Sequence, residues 1–174
     1  LRRLMADFGP TASRATELAN AEFARGNPRA AWDALRLARA VAGADPDYWN
    51  TYAQLAQLLG ERDEAVLALR QLIASGNADE STYLGAVNLL GPQDPVGAAA
   101  IAAAGWQRWH TPYLATQVLA LYERGGKPEA ARRFLARLSP DERKRLELNP
   151  SFLAARANFR LSQGEAKAAL EDAR

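Results

Sequence analysis

Glu61, Asp63 and Glu64 crowd one helical turn of the stretch GERDEAVLAL at 60–69. Two carboxyl groups held that close can serve as a general acid and base. The other ingredients of a reaction site are missing around them. His110, beside Trp109, is the only histidine, and there is no cysteine, so no zinc-type ligand set can be assembled with it. Gly-rich phosphate loops are absent, and the GG at 125–126 reads as a turn between helices. The expectation is a chain with no catalytic centre, no metal site and no cofactor, in which these three carboxylates form a solvated charge cluster.

The elements that carry these residues repeat. Gly and Ala recur five residues apart as Gly26/Ala31, Gly60/Ala65, Gly125/Ala130 and Gly164/Ala169, and the first two copies lie 34 residues apart. A degenerate copy sits between the second and third pairs, with Ala99 at the expected step from Ala65. Each unit reads as helix, tight turn, helix, the glycine supplying the left-handed backbone past a helix C-terminus. DP at 45–46, TP at 111–112 and NP at 149–150 place a capping side chain before a proline, which suits the first helical position. The predicted units are about 12–45, 46–79, 80–110, 111–149 and a truncated 150–174, with 1–11 as the tail of a preceding unit. LSPDERKRLEL at 138–148 adds a short helix near 139–148, capped by Ser139 with Glu142 as reciprocal partner.

Composition limits the function. The chain has 174 residues, 48% hydrophobic and 24% charged, enough to bury a core. Its longest apolar run, VGAAAIAAAGW at 96–106, is too short to span a bilayer. No signal peptide is visible, and both ends read as cuts within a larger protein. Formal charge is +3 over 1–44 (seven basic, four acidic), −6 over 45–104 (two basic, eight acidic) and +5 over 105–174 (thirteen basic, eight acidic). A nucleic-acid binder needs a continuous basic stripe, and the acidic middle interrupts it.

The spacing resembles the tetratricopeptide repeat (TPR), a 34-residue helix-turn-helix unit. The second unit carries it best, with Trp49, Tyr52, Ala53, Gly60, Ala65 and Leu69 in the family's order of large, large, small, turn, small, large. The resemblance implies an all-α, right-handed superhelical solenoid. It pairs Ala19, Ala53 and Ala157 with Ala31, Ala65 and Ala169, and buries Ala130 with them at helix crossings. It also implies a concave groove lined by first helices, among whose residues are Asn20, Phe23, Asn50, Gln54, Gln57, Asn88, Tyr122 and Asn158. The ninth position of the units reads Asn20, Gln54, Asn88, Leu119 and Asn158, a ladder of amides that can both donate and accept along a repeating polar chain. Lys and Arg are absent from this lining, which argues against a carboxylate clamp there. The acidic middle offers the first-choice contact surface, Asp47, Glu61, Asp63, Glu64, Asp79 and Glu80, with the amide-lined groove as second choice.

The phrasing of 48–91 is similar to the periplasmic TPR region of outer-membrane proteins of Pel exopolysaccharide export. Nineteen arginines against three lysines suit a GC-rich bacterial genome. That resemblance implies a periplasmic scaffold, part of an outer-membrane protein. Its implied partners are a PelA-like polysaccharide deacetylase or hydrolase and a cationic polysaccharide. A cytoplasmic TPR adaptor for an extended peptide is the alternative.

Overall fold

The computed structural model describes residues 9–173; residues 1–8, read above as part of a preceding unit's tail, lie outside the described residues. The described residues form eleven α-helices and no strand. They are α1 Ala12–Ala24, α2 Pro28–Ala38, α3 Pro46–Leu58, α4 Arg62–Ala74, α5 Glu80–Leu90, α6 Pro95–Trp109, α7 Pro112–Arg124, α8 Pro128–Arg137, α9 Pro140–Glu147, α10 Pro150–Ser162 and α11 Ala166–Asp172. The expected all-α class holds.

Seven of the eleven helices open on proline, which fixes φ where no N–H is needed and so marks where each helix begins. Asp45 accepts from the Tyr48 N–H at 3.0 Å and Asn149 from Phe152 at 3.0 Å, as the DP and NP pairs predict. Thr111 departs from that expectation. Its side chain makes no capping bond. The Leu114 N–H instead donates to the Thr111 carbonyl at 2.9 Å, so that donor needs no hydroxyl. The short added helix is α9, with the full reciprocal box between Ser139 and Glu142.

The chain divides into two compact units between Thr82 and Tyr83. In the first, α1 pairs with α2 and α3 with α4, and α3 also packs on α1 and α2. Alanine makes these approaches possible: Ala15, Ala19, Ala31, Ala38 and Ala65 are wholly enclosed. Large rings fill the remaining space. Trp32 and Tyr52 lie 4.5 Å apart between centroids, and Tyr48 and Trp49 stand edge-on at 5.0 Å. Three polar tips in this cluster have partners. Tyr48 Oη donates to the Leu35 carbonyl, Trp49 Nε1 to the Gly43 carbonyl and Tyr52 Oη to Glu64, each at 2.8 Å. Burial, then the bond to Glu64, pushes the Tyr52 hydroxyl up to about 12.

In the second unit α7 is the hub, packing on α6, α8 and α10, while α10 also meets α9 and α11. Here the repeat register corrects the sequence reading. Ala130 is only half-buried, whereas Ala131 is wholly enclosed. The left-handed turn residue is Gly126 (φ 64°), matching Gly26, Gly60 and Gly164 (φ 75–79°). The pair is therefore Gly126/Ala131, one residue later than predicted. Gly125 is small for another reason: a Cβ there would come within 2.6 Å of Val96 Cγ2.

Ala131→Leu should overpack the crossing and cost about 1–3 kcal/mol, as should Ala65→Leu. Ala130→Leu should cost much less. Thermal melts of the three variants check this, and equal losses at 130 and 131 would restore the earlier register.

Candidate functional site

The first unit contains a groove of about 250 Å³ between α1 and α3, lined by Asn20 and Phe23 from one helix and Thr51, Gln54, Leu55 and Leu58 from the other. Residues on one face of a helix recur at three and four positions, which is why 51, 54, 55 and 58 converge. Leu55 is the buried floor, while Phe23 (51% exposed) and Leu58 (60%) leave apolar surface open at its edges. Thr51 Oγ1 donates back to the Asp47 carbonyl at 2.9 Å. The Asn20 and Gln54 amides have no hydrogen-bond partner among the described residues. Asn20, Phe23 and Gln54 thus converge as expected, and Thr51 and Leu55 join them unannounced. Asn50 and Gln57 are exposed on α3 but do not line the groove.

In the second unit the expected lining is less coherent. Asn88 and Asn158 are exposed, and Asn88 accepts a long 3.5 Å bond from Tyr113 Oη. The one-residue shift of register displaces the other α7 positions. Leu119, placed in the amide ladder by the sequence, is wholly buried. Tyr122 does not belong with the amides; it faces a different pocket of about 290 Å³ with Trp106, Arg133, Phe134, Arg137 and Glu142.

The acidic residues do not form one patch. Glu61, Asp63 and Glu64 sit at the start of α4, whereas Asp79 and Glu80 follow its far end, a helix of 13 residues away, or about 20 Å. Asp47 lies in the first turn of α3, which is antiparallel to α4 in their hairpin, and so also falls away from Glu61. Acidic groups at helix starts complement the backbone dipole there. Most are also engaged. Glu61 pairs with Arg29 at 3.0 Å, and Glu64 with Arg39 at 2.8 Å. Asp79 accepts from the Thr82 hydroxyl, the Thr82 N–H and the Ser81 hydroxyl, which hold its carboxyl below the usual range. Among the described residues no group of three or more His, Asp or Glu could hold a metal ion. No helix among them is long and apolar enough to cross a membrane.

Two polar clusters escaped the sequence reading. Buried Arg156 grips Asp172 through Nε and Nη2 at 2.6–3.1 Å, while Arg160 reaches the same carboxylate at 2.7 Å. Position 156 aligns with Leu18 and Tyr52 of other units, so only an arginine at an apolar position signalled it. His110, with φ 52°, ends α6 and puts Nε2 3.2 Å from Glu142 Oε1. It thereby ties the end of α6 to the cap of α9.

The chain belongs to the tetratricopeptide repeat family, whose model matches residues 3–174. No curated protein matches it significantly in sequence. Among solved structures it is similar to the MamA protein, at 8% identity and a TM-score of 0.61 over 92% of this chain and 87% of that one. It is also similar to MamA from residue 41 onward of Desulfovibrio magneticus RS-1, at 13% identity and a TM-score of 0.57 over 92% and 90%. At these identities the likeness concerns the fold alone. The TPR fold is that of a protein-interaction scaffold.

The Ser139 N–H bond holds the Glu142 carboxyl below its ordinary 4.5, against the opposing effect of burial. The unfolded chain then takes up that proton first, so the stabilisation is complete above 4.5 and is lost as pH falls through the depressed value. Glu142→Gln should reduce the acid sensitivity of urea melts compared at neutral pH and at about pH 3, without abolishing it, because Asp79 is depressed too. An unchanged acid limb would show that the box contributes nothing.

Proposed function

We propose that the chain is a non-catalytic docking scaffold whose α1–α3 groove takes an extended segment of a partner protein. The observation that carries this reading is the pairing of two free amides, Asn20 and Gln54, with the open apolar surfaces of Phe23 and Leu58. An extended backbone presents alternating donors and acceptors to such amides, and its side chains supply the apolar contact.

The setting we infer is bacterial exopolysaccharide export. The support is the resemblance of residues 48–91 to the periplasmic repeats of the Pel outer-membrane protein, PelB. On this reading the chain is periplasmic, docks a PelA-like polysaccharide deacetylase or hydrolase, and helps lead a cationic polysaccharide to an outer-membrane pore. The exposed Asp47 and Asp63 are the carboxylates best placed to meet such a polymer. A cytoplasmic adaptor would use the same groove for a different peptide.

Calorimetric titration of the chain with a PelA-like enzyme tests the reading. Phe23→Ser with Leu58→Ser should weaken binding about tenfold or more, and Asn20→Ala with Gln54→Ala by a similar factor. Binding should change little with salt, since the contact is neutral. Loss of affinity with salt and on charge reversal at Asp47 and Asp63, with the groove variants silent, would move the contact to the carboxylates. No binding at all would remove the export setting.

A further inference from the structure

We propose that the pocket among α6, α7, α8 and α9 binds a small monocarboxylate that carries a flat ring. It lies in the second unit, shares no residue with the groove and goes beyond the docking role proposed above.

Its walls are aromatic. Trp106, only 3% exposed, stands edge-to-face with Phe134 at 6.5 Å between centroids, and Tyr122 adds a third ring. Arg133 and Arg137, one helical turn apart on α8, line the same space. Neither makes a hydrogen bond or ion pair among the described residues. Their neighbour Arg132 shows the contrast, being held by Glu129, Gln163 and Glu165. Two guanidinium forks left unpaired beside an apolar floor are matched to a carboxylate, which they can each bind through two parallel N–H bonds.

Charge and polarity narrow the ligand. Glu142 also lines the pocket, and its depressed pKa keeps it ionised, so the pocket carries two positive charges and one negative. That balance suits a single anionic group better than a dianion such as phosphate. Glu142 already accepts from the Ser139 N–H and contacts His110, which leaves Gln107 and Tyr122 as the uncharged polar side chains of the lining. Two such groups cannot replace the water around the several hydroxyls of a sugar acid, whereas a phenyl ring gives up no hydrogen bond. The volume of about 290 Å³ holds one ring and its carboxylate. Such a group occurs as a free acid or as the last residue of a polypeptide.

The test uses the whole chain with 3-phenylpropionate and, separately, the tripeptide Gly-Gly-Phe, by calorimetry and by NMR of the Trp106 indole N–H. Saturable binding on the order of 1 mM that shifts the Trp106 signal is expected for at least one probe. The tighter of the two assigns the source as free acid or chain terminus. Arg133→Gln with Arg137→Gln should abolish saturation while leaving the thermal melt unchanged, since both side chains are exposed. The groove variants should not affect it. Equal binding of 3-phenylpropanamide would overturn the proposal, because the charge would not be read. Equal binding of inorganic phosphate would overturn it because the ring would not be read. Binding that leaves Trp106 unmoved, or no saturation by either acid at about 10 mM, would overturn it too.

Discussion

Two helices can lie side by side at short range only where almost no side chain stands between them, and that steric condition organises the molecule. Ala31, Ala65 and Ala131 sit at such crossings with no exposed surface, and Ala169 with 2%. Alanine is the residue for this position because it loses no rotamer freedom on burial and remains a strong helix former, unlike glycine. Once the crossings are fixed, larger side chains are displaced into the spaces beside them. Trp32, Tyr48 and Tyr52 fill that space in the first unit and Leu114, Val118 and Leu119 in the second. The glycine turns serve the same end by delivering each second helix at the right distance.

Filling space with tyrosine and tryptophan brings polar atoms inside, and the structure meets that demand locally. No buried side-chain nitrogen or oxygen lacks a partner among the described residues. The Tyr52–Glu64–Arg39 chain is the clearest instance, since one carboxylate answers both a buried hydroxyl and a surface guanidinium. The acidic middle of the sequence is explained in the same way. Its carboxylates are mostly helix caps and local ion-pair partners, so a regional charge of −6 does not produce a surface of that strength.

How much of this was readable depended on whether one residue type had one possible role. Gly26, Gly60 and Gly164 had a single neighbouring alanine at the right distance, and their hairpins follow the sequence closely. At 125–126 two adjacent glycines offered two registers, and the left-handed φ of Gly126 with the enclosure of Ala131 distinguishes them. The error carried into the site, because shifting α7 by one residue buries Leu119 and turns Tyr122 toward Trp106. Thr51 and Leu55 were missed for a different reason: their exposure depends on how α3 meets α1, a long-range fact. Arg156 is similar, since its partner lies a helix away at Asp172.

Helix α9 has a consequence for how such arrays diversify. First helices begin 34 residues apart from Ala12 to Pro46 and from Pro46 to Glu80, but 38 apart from Pro112 to Pro150. Lengthening a closed segment by that fraction costs about 0.1 kcal/mol of loop-closure entropy. The insertion brings its own start signal in the Ser139 box, so neighbouring hairpins need not supply one. α7 and α10 still pack together across it. A junction between hairpins is therefore a place where mutation can add a wall and a charge to the surface at almost no thermodynamic cost, leaving the older crossings untouched.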